Sequence, residues 1–434
     1  MNILLLGHGA RENVIAETIR KSSYAKLFSY MKSNNPGIAA LSEKIEIGSY
    51  SDMDKVKDFA KKNNVDFAFI GPEDSLSFGV VDVLQSEGID AIGPVKMLAK
   101  LETSKSFTRN LLQKHEIEGN PKFMVFGKEN IDEIDDFLNI IEGIVVKPDG
   151  LTGGKGVKVQ GDHFNTKEEA VAYCKEVLEK HESVVVEEKL DGEEFSLQCL
   201  TDGKTVLSFP AVQDHKRAYE DDKGPNTGGM GSYSCENLLL PFLKKEHVNE
   251  ALKITKKVVD AIYSETGTYY KGIMYGGFIL TKDGVKLIEY NARFGDPEAM
   301  NVLPLLKTEL AGICQAIIVQ DLGKLKIEFK KKATVCKYAV PEGYPDNPVK
   351  NEKIEIQSSN AKIYYASVDK KQDGLYMTGS RAVAFLGIGD NLEEAEKIAE
   401  EAVSKVKGKV FHRKDIGTKE LIGKKVEHIK RIVD

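Results

Sequence analysis

The sequence predicts a multidomain protein of mixed α/β and α+β class, and three observations carry that reading. Residues 1 to about 102 alternate short apolar strands with helices. The next stretch forms a small α+β unit interrupted by a glycine-rich loop. Further on, a strand hairpin runs into an acidic turn, LIEYNARFGDPE, from Leu287 to Glu298. With 434 residues, the chain is long enough for about three domains and a large core.

In the first part, strands are expected at Ile3 to Leu6, Phe28 to Met31, Asp66 to Ile70 and Ala91-Ile92. Helices are expected at Arg11 to Arg20, Asp52 to Lys62 and Leu76 to Ser86. Continuous apolar strands alternating with helices imply a parallel sheet covered on both faces. The loop Gly7-His8-Gly9-Ala10-Arg11-Glu12 sits where a dinucleotide fingerprint would sit. Glu12 fills its third glycine position, and Lys32-Ser33-Asn34-Asn35 lacks an acidic ribose ligand, so a nicotinamide cofactor is not expected. The loop can still offer backbone N–H groups and Arg11 to a phosphate at a helix N-terminus.

Thr103 to Leu112 reads as a connecting helix with Lys105 at its start. A strand, a helix (Ile131 to Ile140), a strand (Ile144 to Lys147), a glycine loop and a strand (Val157 to Gln160) follow. A helix from Lys167 to Lys180 and a strand from Val184 to Glu187 complete the unit. The loop Lys147-Pro148-Asp149-Gly150-Leu151-Thr152-Gly153-Gly154-Lys155-Gly156 resembles a phosphate cradle but not a Walker loop, because Lys155 precedes Gly156 rather than Ser or Thr. A glycine-rich flap over phosphates, with Lys147 as a point charge, is the functional alternative to a surface turn. In Glu187 to Glu194, the strand end exposes backbone groups suited to an adenine edge, and Glu194 suits ribose hydroxyls.

Strands at Phe195 to Leu200 and Val206 to Val212 precede QDHKRAYEDDKGPNTGGMGSY, from Gln213 to Tyr233. A loop of this length calls for function or disorder. Helices are expected at Lys244 to Tyr263 and Ala299 to Val319, with a strand from Ile273 to Leu280 feeding the hairpin. The last unit has strands near Thr334 to Val340, Lys362 to Ala366 and Ala382 to Leu386, then a helix from Leu392 to Lys405, and FHRKDIG ends it. On the hairpin strand, Glu289, Asn291 and Arg293 alternate with Tyr290 and Ala292 and share one face. A carboxylate and a carboxamide suit magnesium or another hard cation. Arg293 beside them suits a phosphoryl group.

Composition narrows the partners. Hydrophobic residues at 41%, charged residues at 29% and a net charge of -6 describe an ordinary globular chain with no leaning toward nucleic acid. The five cysteines are scattered without a CxxC pair, as expected of reduced thiols without zinc. No signal peptide or membrane span is expected, so the location expected is cytoplasmic.

These motifs together carry a resemblance. GHGARE, GPE, SKSF, KPDGLTGGKGV, EEKLDGEE, QDHKR, GPNTGGMGSYS, NARFGDPE and HRKDIG stand in the order found in the phosphoribosylamine–glycine ligases (glycinamide ribonucleotide synthetases), ATP-grasp enzymes of purine biosynthesis. The first loop departs from the usual GxGGREH at Ala10 and Asn13. The resemblance implies ATP with Mg2+ or Mn2+, glycine and 5-phosphoribosylamine, an acyl phosphate intermediate, and a monomer or weak homo-oligomer.

It also implies roles. Arg293, Lys147 and Asp296 would be catalytic. Lys105, Lys147, Gly153, Gly154, Lys155, Gly156, Glu187, Glu188, Leu190 and Glu194 would hold nucleotide, and Glu289 and Asn291 the metal. Gly9, Arg11, Glu12, Asp214, His215, Lys216, Gly295, Asp296 and Glu298 would hold substrates. The expected units are an N-terminal α/β domain (1–102), a connecting helix (103–122), a lid subdomain (123–190), a catalytic subdomain (191–328) and a C-terminal α+β domain (329–434). A different purine ligase on the same nucleotide site is the nearest rival, opposed by QDHKR and RFGDPE. A non-catalytic regulator is opposed by the presence of Glu289, Asn291 and Lys147.

Overall fold

The computed structural model describes residues 1–151 and 156–433. Its N-terminal part is a five-stranded parallel sheet in the order Lys44–Ile47, Lys26–Met31, Asn2–Leu6, Phe67–Ile70, Asp90–Ile92. Chain order reverses between Asn2–Leu6 and Phe67–Ile70, which places the loops after both strands, Gly7-His8-Gly9 and Gly71-Pro72-Glu73, at a topological switch point. The strand Lys44–Ile47 and the short helix Pro36–Ala39 were not expected. The helix expected from Leu76 to Ser86 is two helices, Glu73–Phe78 and Val80–Ser86. Gly79, at φ +89°, breaks it, a conformation open to glycine.

The small unit is an antiparallel sheet of Phe123–Phe126, Val184–Glu188, Ile144–Pro148 and Lys158–Val159. Phe126, Phe137, Val146, Cys174 and Val186 belong to a hydrophobic core of its own. The helix Lys167–Leu178 covers it, started by a Thr166 cap with Glu169 bonding back.

A second antiparallel sheet runs Val206–Ser208, Glu193–Thr201, Gly272–Thr281, Gly284–Asn291, and Asp283-Gly284 lies in the turn of its hairpin. The long segment after Val212 is ordered. Gln213–Asp214 and Gly231–Ser234 are strands, and Arg217–Tyr219 pairs with Lys223–Asn226 as a two-stranded ribbon. Gln213–Asp214 and Gly231–Ser234 extend the C-terminal sheet of Ala333–Pro341, Val383–Gly389 and Lys362–Tyr365. The two units expected on either side of residue 328 therefore share a sheet.

Two helix expectations are corrected. Ala299 to Val319 is not one helix but Glu298–Val302, a 3-10 turn Leu303–Leu305, and Leu310–Ile318. Pro304 cannot donate to the helical ladder and crowds the preceding turn. The chain also does not end its structure at FHRKDIG, because Lys419–Val433 is a helix. It packs on the second sheet through Lys425 and His428, which reach Glu193 at 3.4 and 2.7 Å.

Candidate active site

A phase change in one strand builds the centre of the site. Val285 and Leu287 are buried, and then the buried positions become Tyr290, Ala292 and Phe294. The ladder shifts at the same place: Phe278 opposes Leu287, but Gly277 opposes Glu289, leaving Ile288 as the extra residue of a β-bulge. Beyond the bulge, Glu289, Asn291 and Arg293 take the less buried alternate positions, as the alternation predicts. Lys216, Lys147, Lys105 and Arg293 surround Glu289. Burial alone would raise its carboxyl, but these four cations bring it below the ordinary value.

Lys147 is buried and sits 2.7 Å from Glu187, with its ammonium also donating to the Ile288 carbonyl at 3.3 Å. Burial lowers its pKa against the pull of Glu187. The Glu187 side chain is thereby an interior ion-pair partner and does not face an adenine; Arg109 grips it as well, at 2.7 and 3.0 Å. The Glu188 N–H donates to the Lys122 carbonyl, and its carboxylate accepts from the Lys122 N–H at 2.8 Å. Leu190 follows in the turn after the strand, and Glu194 pairs with Lys216 at 2.9 Å. Glu194 leads the influences that raise the Lys216 pKa, and Glu289 and Asp214 add to it.

The glycine loop is pinned at both described ends. Asp149 accepts from the Lys105 N–H at 2.6 Å and the Ser106 N–H at 3.3 Å, and from the hydroxyls of Ser104, Ser106 and Ser183. Asp149 thereby satisfies the first N–H groups of the helix Lys105–Lys114, whose N-cap is Ser104. Lys105 donates its ammonium to Gly150 O at 2.8 Å, and Tyr173 donates its hydroxyl to Gly156 O at 2.7 Å. Gly153, Gly154 and Lys155 lie outside the described residues.

Near the acidic turn, the half-buried Asp214 and the buried Glu298 stand close enough to repel. Burial first, and then Glu298, lifts the Asp214 carboxyl well above the usual range; burial also raises Glu298 against the hydrogen bond from Tyr275, 2.7 Å away. The Asp214 Oδ1 is buried without a hydrogen-bond partner among the described residues. Two carboxylates and an unpaired oxygen suit a bound ammonium group. Gly295 lies against Glu298: a Cβ there would meet Glu298 Oε2 at 2.4 Å.

Three expected substrate residues point elsewhere. His215 is 2% exposed, stacked on Tyr233 and 3.4 Å from Asp222; one-residue alternation along the strand turns it inward, away from Asp214. Glu12 folds back under the first loop and accepts the Gly9 N–H at 2.7 Å, so neither group is free for a phosphate. The side chain explains why glycines surround it, since a Cβ on Gly7 or Gly71 would lie 2.1 or 2.3 Å from it. Arg11 is likewise engaged, by Glu12 at 2.6 Å and Phe294 O at 3.3 Å. Gly9 stands near the acidic turn, where an added Cβ would lie 3.8 Å from Asp296 Oδ2. Asn13, one of the departures from GxGGREH, instead accepts the Tyr365 N–H at 3.0 Å.

Sequence reasoning missed Glu73, Glu102, Arg109, Tyr275, Tyr338 and Arg381. Arg293 is held by Glu102 at 3.0 Å, Glu73 at 3.2 Å and the Asn291 carboxamide oxygen at 3.0 Å. Burial would raise Glu73, yet Arg293 and Arg11 hold it down at about 2, whereas burial pushes the Glu102 carboxyl up to about 7. Only Glu73 had a signal, in the GPE motif. Glu289 and Asn291 fit a hard cation as two oxygen donors on one face, provided Arg293 releases the carboxamide. No cluster of three or more acidic, His or Cys residues suited to a metal occurs among the described residues, so other positions would fall to phosphates or water.

A lysine-lined strand end, a glycine loop and an acid-amide strand face, on two antiparallel sheets, define an ATP-grasp enzyme. The chain matches the phosphoribosylglycinamide synthetase N domain over residues 1–102, the ATP-grasp (A) domain over 103–299 and the C domain over 334–419. It is 49% identical to a phosphoribosylamine–glycine ligase of Methanococcus maripaludis and 50% identical to one of Methanocaldococcus jannaschii, each alignment covering all of both chains. It also resembles the crystal structure of the phosphoribosylamine–glycine ligase of Thermotoga maritima, with a TM-score of 0.79 and 26% identity over 96% of this chain and all of the other. The chain belongs to the phosphoribosylglycinamide synthetase family.

Proposed function

We infer that the chain ligates glycine to 5-phosphoribosylamine at the expense of ATP, giving glycinamide ribonucleotide, ADP and phosphate. The observation that carries this reading is one continuous charged lining. It runs from Lys105 and Lys147 through Glu289 and Lys216 to the half-buried Asp214 and the buried Glu298. Full-length identity near one half to ligases of that name supports it.

The glycine carboxylate attacks the γ-phosphorus, ADP departs, and a glycyl phosphate forms. The amine of phosphoribosylamine then attacks the acyl carbon, and phosphate leaves with one former carboxylate oxygen. Like charges meeting at 4 Å repel by about 4 kcal/mol at an effective dielectric near 20, which Lys105, Lys147 and Arg293 offset. Asp214 and Glu298 would hold the glycine ammonium, and Asp296 would lie beside the incoming amine. Magnesium or manganese on Glu289 and Asn291 would supply charge neutralisation for the phosphates. Glu187, Glu188 and Leu190 would frame adenine by their backbone groups, with Glu194 at the ribose, and the 153–156 flap would keep water from the acyl phosphate.

We place the units at 1–102, 103–122, 123–190, 191–328 and 329–434, and the protein in the cytoplasm, as a monomer or weak homo-oligomer acting on small molecules. No helix among the described residues is long and apolar enough to cross a membrane. Glycine labelled with heavy oxygen in its carboxylate tests the chemistry. One labelled oxygen in the released phosphate is expected; unlabelled phosphate with product formed would remove the acyl phosphate.

A further inference from the structure

The bulge that turns Glu289 and Asn291 toward the site is not explained by its own residues. Without the extra Ile288, the alternation that buries Val285 and Leu287 would carry Glu289 into the core and leave Tyr290 in its place. A bulge also frees backbone groups from the ladder, and these need partners. Arg109 supplies the shortest of them, with Lys147 Nζ adding a longer contact to Ile288 O at 3.3 Å. Arg109 Nη1 donates to Leu287 O at 2.9 Å, and Nη2 donates to Ile288 O at 2.7 Å. The same guanidinium grips Glu187 through Nε and Nη2, and Glu187 holds Lys147 at 2.7 Å.

We propose that Arg109 is a positioning residue for the nucleotide site, locking the Leu287–Ile288 bulge on one sheet to the Glu187–Lys147 pair on the other. Its planar fork satisfies two carbonyls and one carboxylate from a single plane, which a lysine cannot do. Arg109 is 2% exposed and lies on the helix Lys105–Lys114. Through its start, that helix also places Lys105 against Asp149. One helix therefore sets Lys105, Lys147 and the face of Glu289 together. Asn120 completes the hold, accepting from Nη1 at 3.3 Å and donating to the Arg109 carbonyl at 3.1 Å.

This inference rests on the ATP-dependent reading, and its test separates the two. Calorimetry with a non-hydrolysable ATP analogue, with and without magnesium, is run on the unaltered protein, Arg109→Lys and Asn120→Ala. If the unaltered protein does not bind the analogue, the functional reading fails first. Given binding, Arg109→Lys is expected to weaken affinity in magnesium by about tenfold or more, as for residues that orient metal ligands. Affinity without magnesium should change less, the KM for glycine should hold, and amides from Ile288 to Asn291 should exchange faster. Asn120→Ala should shift the same quantities in the same direction by a smaller factor. A folded Arg109→Lys with unchanged magnesium dependence and unchanged exchange would overturn the proposal. If Arg109→Lys does not fold, an unchanged Asn120→Ala would overturn it instead.

Discussion

Arg381 lies 3.3 Å from the Asp296 carboxylate and also donates to the Asp296 carbonyl at 2.8 Å. The guanidinium stacks over Tyr338, whose hydroxyl donates to the Asp296 carboxylate Oδ1 at 2.6 Å, and it donates to Gly229 O at 3.1 Å. A residue of the C-terminal part thus holds the acidic turn and the Gly228-Gly229 segment together. Arg381→Lys keeps the charge but loses the fork, which costs about 1–3 kcal/mol where buried acceptors are left unpaired. Steady-state kinetics should show KM rising for glycine or phosphoribosylamine with ATP affinity nearly intact. Equal weakening of ATP would move this cluster to the nucleotide side.

Glu289→Gln keeps shape and removes the charge that four cations surround. Metal-nucleotide binding and turnover should fall at least about tenfold, and excess magnesium should recover part of both. Near-normal turnover at low magnesium would place the metal elsewhere.

Asp149 accepts hydrogen bonds from five donors, four at the start of one helix and the fifth on Ser183. Asp149→Ala removes the acceptor of these hydrogen bonds, each worth about 0.5–1.5 kcal/mol, and releases Lys105. A lower melting temperature together with a raised KM for ATP is expected. A stability loss with unchanged KM would make Asp149 purely structural.

Asp214 gives a pH signature. Burial and Glu298 raise its folded pKa above the unfolded value, so the folded state binds the extra proton and the ionised carboxylate costs stability as pH rises. Asp214→Asn removes that cost. Thermal melts should show the variant more stable than the unaltered protein near neutral pH, with the gain shrinking to nothing below the unfolded pKa near 3.8. Turnover should drop sharply. A variant less stable at neutral pH would mean Asp214 is paired in the free protein.

The hairpin site is legible in the sequence because its chemistry sits within one short stretch, Glu289 to Glu298. The face shared by Glu289, Asn291 and Arg293 follows from alternation, but the bulge beneath it is invisible there. Nothing in LIEY marks Ile288 as the extra residue, since Val285, Leu287 and Tyr290 are all apolar. Arg109 and Arg381 are unreadable for another reason. A lone arginine on a helix or before a strand looks like a solvated side chain until tertiary contacts surround it with carbonyls. His215 misleads because QDHKR looks like one cluster, whereas alternation divides it between two faces. The last helix leaves a usable trace in Leu421, Ile422 and Ile429, all buried, diluted by lysines along its outer face.

ADP release with glycine alone, phosphoribosylamine alone, and both together is the most direct test of the ligase reading. Rapid release is expected only with both, because the glycyl phosphate discharges onto the amine. Full-rate ADP release with either substrate missing, or none with both present, would contradict it.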